Sequence, residues 1–193
     1  EWRVLLNFGG QSAVANVVTT VAMDINDLAL GKILGFAPVA MLSRAQGLMN
    51  LFHRDIMSAI RNVAYPAIAN AYRQEDDLEP RHTHAVACVT GFAWPYYAFV
   101  GLFAVDVLRL MFGAQWDEAA PLVGWFCLAG AAAASCNLVT SLLMAIGRID
   151  LVTKLELIIQ PTRAVIIILA VLYFRSVEAV AVTFAVVFMG SVF

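Results

Sequence analysis

Charged residues are scarce in this chain of 193 residues. Asp, Glu, Lys and Arg make up 13% of it, against about 25% in soluble globular domains. Apolar residues fill the difference, at 62% of the chain with a mean hydropathy of +0.80. A soluble domain of this length can build a core without such an excess, so the surplus predicts surfaces that face lipid. We therefore expect an integral membrane protein.

Cysteines and metal-binding patterns are also sparse. Cys88, Cys127 and Cys136 lie in apolar runs without a CxxC pair, which predicts small buried side chains rather than disulfides or ligands. His82 and His84 form an HxH in a polar stretch, a pattern more typical of a solvated turn than of a metal site. We expect no metal and no cofactor.

The motifs of common enzyme classes are missing too. The sequence contains no GxSxG, HExxH, P-loop or GxGxxG in a strand–helix context, so we expect that the protein is not an enzyme. It also lacks a basic tract that could follow a phosphate backbone, and its net charge is -2. These features predict no nucleic-acid partner.

Long apolar runs are what the sequence has instead. Because a bilayer core about 30 Å thick needs about 20 helical residues, they predict an all-α, polytopic transmembrane helix bundle in a single domain over residues 1–193. The six expected helices cover residues 8–34, 38–71, 84–112, 119–146, 151–174 and 177–193. We expect a kink at Pro95, an interruption at Gln160-Pro161 and a solvated acidic loop at residues 73–81.

The ends of the chain and its basic residues give further expectations. Glu1 is not a start residue and Phe193 lies inside an apolar run, so we expect an internal fragment of a longer protein. Connections on one side hold Arg3, Arg73, Arg81, Arg148 and Lys154, and those on the other hold Lys32, Arg109 and Arg175. This bias places the start of the chain and the acidic loop in the cytoplasm.

Polar side chains in the second span keep to one face. At about 100° per residue they share a sector about 140° wide: Arg44, Gly47, Asn50, Arg54, Asp55, Ser58, Arg61, Asn62 and Tyr65. Only His53 breaks the pattern, and we expect it to form a helix–helix hydrogen bond, with proton coupling as the alternative. Since charge inside a bilayer is costly, such a face predicts a water-filled route or pairing across a bundle.

Three further spans carry shorter polar stripes. They comprise Asn16, Thr20, Asp24 and Asp27; Asn137, Thr140, Ser141 and Met144; and Thr153, Glu156, Gln160 and Arg163. Static pairing is an open alternative to a transport route. In that arrangement Asp24 or Asp27 neutralises an arginine of the second span, and Glu156 neutralises Arg163.

The residue types favour an anionic substrate, because guanidinium groups match the planar geometry of phosphates and stay charged in dry surroundings. The candidate substrate-binding residues are Arg44, Arg54, Arg61, Arg163, Asn50 and Asn137. We expect Asp24, Asp27 and Glu156 to tune the cavity or to bind a coupling ion, H⁺ or Na⁺. The residues alone therefore predict an anion-handling transporter.

Several motifs resemble the PST family of polysaccharide exporters. Its FG start, N-x-D-N-L-L-I-G-K-x-L-G run and Y-S-R-A-Y-x-L motif are similar to residues 8–10, 24–35 and 43–46. Its F-P-A-L motif, G-x-x-W-x-x-A-x-P-L turn and next cytoplasmic turn are similar to residues 65–68, 113–122 and 147–154. Met41-Leu42 and the order Asp24-Ile25-Asn26-Asp27 depart from the family pattern.

The resemblance implies a member of the MOP superfamily, with two lobes around a central cavity. This chain would be most of the C-terminal lobe, with the N-terminal lobe missing. The implied function is alternating-access transport of undecaprenyl-diphosphate-linked oligosaccharide, for polysaccharide or lipopolysaccharide biosynthesis. The implied location is the bacterial inner membrane, as a multi-pass protein surrounded by membrane lipids.

Other functions stay open on these residues. A MATE-like cation-coupled drug antiporter would need acidic groups to dominate the cavity, whereas the polar face of the second span is net basic. A membrane-embedded enzyme acting on a lipid-linked glycan would need a large periplasmic loop, and the predicted connections are short. A non-transporting scaffold subunit would tolerate neutralisation of all these arginines.

Overall fold

This computed structural model describes Val17 and residues 30–190. Residues 30–34 are helical and end at Gly35, whose φ of 91° is in the region that favours glycine. The chain then enters α1 (Phe36–Asn50). Apart from Val17 and its last residues, the predicted first span lies outside the described residues, as do Asp24 and Asp27.

The predicted second span is one long, irregular helix. Helix α1 continues into a π-helical segment (Leu51–Ile56) and then into α2 (Met57–Arg73). The sequence did not predict the π segment, because a helical-wheel projection applies the same rotation of about 100° to every residue. Wider i→i+5 turns of this kind occur mostly as local insertions in α-helices, often at functional sites.

The predicted acidic loop is shorter than expected. Helix α3 (Leu78–Leu102) begins after Asp77, whose side chain accepts a hydrogen bond of 3.1 Å from the backbone N–H of Glu79. Such an N-cap satisfies a donor of the first turn, so only residues 74–77 link the helices. Helix α3 runs through Pro95, and its regular pattern breaks at Phe103, before α4 (Ala104–Phe112).

The predicted fourth span is divided into two helices. A 3₁₀ turn (Ala114–Ala119) leads into α5 (Ala120–Cys136), and α6 (Val139–Ala145) follows after a break at residues 137–138. The pattern of the sequence did not show this break. It falls at Asn137, one of the candidate site residues.

The last two helices are α7 (Ile149–Phe174) and α8 (Val177–Gly190). The predicted interruption at Gln160-Pro161 is absent, since α7 is continuous through Pro161. Beside this proline the Thr162 hydroxyl donates a hydrogen bond of 2.6 Å to the carbonyl of Ile158. Such bonding back to the carbonyl four residues earlier is common for threonine in helices.

The described helices confirm an all-α membrane bundle. Three of them are long and apolar enough to cross a bilayer, at Leu78–Leu102, Ala114–Ala145 and Ile149–Phe174, with mean hydropathies of 1.4, 1.7 and 2.1. Val177–Gly190 is a shorter apolar helix. All regular secondary structure among the described residues is helical.

Helix α5 lies at the centre of the bundle, in contact with α1, α3 and α8. Its buried face is rich in small residues, among them Ala129, Gly130, Ala133 and Ala134, and small residues let membrane helices approach closely. Gly130 shows why size matters, because a Cβ atom there would overlap the ring of Tyr97 on α3. Helix α2 packs on α6, and α7 packs on both α6 and α8.

Candidate functional site

Three polar side chains meet where the two irregular helices touch. The Nη1 atom of Arg61 donates a hydrogen bond of 2.6 Å to Oδ1 of Asn137, and Nδ2 of Asn137 lies 3.5 Å from Nδ1 of His53. All three side chains are half-buried. The contacts join the π segment and α2 to the break between α5 and α6. The structure therefore brings Arg61 and Asn137 together, as two of the predicted site residues.

The π segment explains why His53 reaches the same partner as Arg61. Residues eight positions apart point about 80° away from each other on a regular α-helix. A π turn rotates the chain by less per residue, so the segment reduces this angle and both side chains reach Asn137. His53 thus makes the expected contact with another helix, but at 3.5 Å it is longer than the roughly 2.7–3.2 Å that is usual for protein hydrogen bonds.

Two tyrosines of α3 hold the start of the π segment. The hydroxyl of Tyr96 donates to the carbonyl of Leu48 at 2.8 Å, and that of Tyr97 donates to the carbonyl of Met49 at 3.3 Å. The buried Phe52 ring lies 5.4 Å and 5.6 Å from the two tyrosine rings. These carbonyls lie in the last turn before the π segment, so the two hydroxyls bind the helix just where it leaves α geometry.

Arg163 on α7 lies beside this cluster and contacts aromatic rings. Its guanidinium carbon is 4.5 Å from the ring centroid of Phe188 and 5.7 Å from that of Phe184, both on α8. The Phe188 ring also meets the His53 ring edge-on at 5.3 Å. The charges of both Arg61 and Arg163 act on His53. The sequence indicated the arginine but not its aromatic support, although the two phenylalanines are four residues apart on one helix face.

The two guanidinium groups have no carboxylate in direct contact within the described part of the chain. The salt bridges found among the described residues are Arg54–Asp55, Arg81–Asp76, Arg109–Asp117 and Arg148–Asp150. Glu156 accepts a hydrogen bond of 2.8 Å from Gln160, and it acts on Arg163 only through its electrostatic field. The direct Glu156–Arg163 pair considered from the sequence is therefore not formed.

Arg54 points away from this cluster. It forms an ion pair of 3.1 Å with its neighbour Asp55, and the two side chains are 73% and 53% exposed. Asn50, one turn earlier, is half-buried. Exposed ion pairs contribute little to stability, so this pair leaves Arg54 available to another partner. No described contact joins Arg54 to Arg61.

Arg44 lies in the middle of α1, against a different element. Its guanidinium carbon is 5.1 Å from the ring centroids of both Phe112 and Trp116. Arg109 and Asp117 close the same turn through hydrogen bonds of 2.7–3.0 Å. Arg44 therefore links α1 to the turn between α4 and α5 through two cation–π contacts.

Two grooves lie apart from the arginines. One groove of about 570 Å³ runs between α3 and α5 and is apolar, with Trp94, Tyr97 and Trp125 among its lining residues. The indole N–H of Trp94 donates to the carbonyl of Ala131 across it, at 3.2 Å. Among the described residues no cluster of three or more His, Cys, Asp or Glu side chains could hold a metal ion.

Comparison with known proteins adds a family match. Residues 1–121 match the family described as Polysaccharide biosynthesis protein. The Lipopolysaccharide biosynthesis protein WzxC of Escherichia coli (strain K12) is 24% identical over 151 residues, which is 77% of this chain and 30% of that relative. The chain thus spans less than a third of the curated relative's length. No solved structure matches the chain.

Proposed function

Because this chain belongs to the Polysaccharide biosynthesis protein family, we propose that it forms part of a polysaccharide flippase. The full protein moves an undecaprenyl-diphosphate-linked oligosaccharide across the bacterial inner membrane by alternating access. In this proposal the chain is most of a C-terminal lobe in a multi-pass protein, and an N-terminal lobe completes the cavity. It transports its substrate and makes or breaks no bond in it.

The observation that carries this proposal is the charge of the central cluster. Arg61 and Arg163 lie near one histidine, and neither contacts a carboxylate among the described residues. A guanidinium group in low-dielectric surroundings strongly favours a nearby anion. A diphosphate fits because it offers several acceptor oxygens to bidentate donors. The same positive charge counts against a drug antiporter for cations.

The remaining candidate residues have graded roles in this proposal. Arg54 and Asn50 lie along the polar face of the α1–π–α2 helix. In this proposal Arg54 faces the cavity and binds the sugar acids or the diphosphate of the substrate. Arg44 binds the substrate nearer the start of the same helix, where its aromatic contacts hold the side chain in position. Asp24, Asp27 and Glu156 balance the cations or bind a coupling ion, H⁺ or Na⁺.

Export by arginine variants tests the proposal. In a strain that depends on the full-length protein for surface polysaccharide, we expect Arg61→Ala, Arg163→Ala and Arg54→Ala to lose most export at normal membrane levels. Lipid-linked intermediate should then accumulate on the cytoplasmic side. Arg73→Ala is the matched control, because Arg73 is an exposed arginine at the end of the same long helix as Arg61. It should export normally.

The outcomes separate the residues from one another. Unchanged export in Arg54→Ala would remove that residue from the mechanism. Normal export in both Arg61→Ala and Arg163→Ala would exclude the central cluster as the anion site. If Arg73→Ala were as defective as the other variants, the effect would reflect loss of positive charge in general rather than a defined site.

A further inference from the structure

Asn137 faces two partners that compete for its amide. Its oxygen accepts from Arg61 at 2.6 Å, and its nitrogen faces Nδ1 of His53 at 3.5 Å. A primary amide has one acceptor oxygen and one donor nitrogen, whereas a guanidinium group can only donate. The Arg61 contact therefore fixes the orientation of the amide. The nitrogen of Asn137 must then point at His53.

This orientation suits a neutral His53 ring. An amide nitrogen can donate to Nδ1 only when that ring nitrogen is unprotonated, so the neutral ring carries its proton on Nε2. In imidazolium both nitrogens donate, and two donors would then face each other. Turning the amide over would give His53 an acceptor, but it would leave Arg61 facing an N–H group. Asn137 can therefore satisfy Arg61 or protonated His53, but not both.

We propose that Asn137 is a proton-operated latch, which holds Arg61 while His53 is neutral and releases it when His53 takes up a proton. Released Arg61 can then turn all its donors toward an anion of the diphosphate class. This inference rests on the proposed function, since it deepens the role of the same cluster. It makes His53 a positioning residue, one that acts on the anion through Asn137 and Arg61.

The charges around His53 link the proton to the anion. Arg61 on α2 and Arg163 on α7 both act on the ring, and Glu156 on α7 acts on Arg163. The flanking Arg54 and Asp55 pair with each other. A third positive charge is unfavourable beside two guanidinium groups, but a bound diphosphate compensates it. By linkage, a proton that strengthens anion binding is itself bound more tightly when the anion is present.

The test measures diphosphate binding as a function of pH. Farnesyl diphosphate is the probe, with the full-length protein in lipid nanodiscs, between about pH 5.5 and pH 8. Wild-type affinity should rise on acidification by about fivefold or more, beyond the change seen in His53→Phe. That variant keeps an aromatic ring against Phe188 but cannot take up a proton. It therefore serves as the matched control for titration of the probe itself.

Asn137→Ala distinguishes a latch from a structural support. Without the amide, Arg61 is free at every pH, so affinity at pH 8 should rise toward the acid value of the wild type. A lower affinity at all pH values would overturn the latch. The same pH profile in wild type and His53→Phe would also overturn it, while leaving the anion site intact. Unchanged binding in Arg61→Ala and Arg163→Ala would instead contradict the proposed function.

Discussion

At the scale of single residues, the central cluster depends on contacts between helices that are far apart in the sequence. Arg61, Asn137 and Arg163 were candidates because charge and amides are rare in apolar helices, and the structure places all three near His53. The partner His53 looked like an exception to the polar face. Its position depends on a π turn, which only contacts with another helix reveal.

The contacts of Arg44 also could not be predicted from the sequence, and they lead to a prediction at the scale of single residues. Its two ring contacts, Phe112 and Trp116, are about 70 residues away in the chain. We expect a double-mutant cycle of Arg44→Ala and Trp116→Ala to give a coupling energy of about 0.5–1 kcal/mol, as for exposed cation–π pairs. Thermal unfolding of the purified protein in detergent measures it.

The control for this cycle uses a different arginine, Arg73, in place of Arg44. Arg73→Ala combined with Trp116→Ala should be additive, since no described contact joins Arg73 to the turn between α4 and α5. If the effects of Arg44→Ala and Trp116→Ala were also additive, the cation–π contact would contribute nothing to the free energy of unfolding. Arg44 would then keep only its proposed role toward the substrate.

At the scale of elements, hydrophobic runs predict where helices lie, and tertiary contacts decide where they break. The runs predicted helices across residues 38–71, 84–112 and 119–146, because bilayer thickness sets a minimum apolar length. The expected irregularities were at prolines. The observed ones are at the π segment, Phe103 and Asn137, none of which carries a proline. Hydroxyls of Tyr96 and Tyr97 on a neighbouring helix support the first of these.

The contact between α3 and α5 gives an element-scale prediction. Gly130→Ala places a methyl group into the ring of Tyr97, so the ring must move and its hydrogen bond to Met49 is lost. We expect a loss of about 1–3 kcal/mol in the free energy of unfolding, as for other overpacked cores. Thermal unfolding in detergent provides the measurement.

Gly124→Ala is the matched control on the same helix. No atom lies within 4 Å of a Cβ built there, so this change should be neutral or slightly stabilising through better helix propensity. Wild-type stability in both variants would show that α3 and α5 pack less closely around Tyr97 than described. A defect in both would point to glycine flexibility in α5 as the cause.

At the scale of the whole molecule, part of the polar face of the first long helix lies exposed on one side of the bundle. Arg54, Asp55, Ser58 and Asn62 on this face are exposed, while Leu42, Ala45, Met49 and Phe52 on the opposite side are buried against the bundle. Wherever such a charged face meets a membrane, it requires water or protein beside it. This arrangement agrees with a chain that spans 30% of its curated relative, and we propose that the other lobe lies across this face.

The orientation of the bundle in the membrane is the last prediction. Helix α3 has 25 residues and is therefore about 37 Å long, more than the bilayer core, so its two flanking connections should emerge on opposite sides. In a variant of the full-length protein without native cysteines, we introduce Glu75→Cys or Gln115→Cys, both at exposed positions. A membrane-impermeant maleimide should label Gln115→Cys in spheroplasts. It should label Glu75→Cys only in inverted vesicles, because the basic residues near residues 73–81 favour the cytoplasmic side. The reverse pattern would invert the proposed orientation, and labelling of both variants from one side would mean that α3 does not cross the membrane.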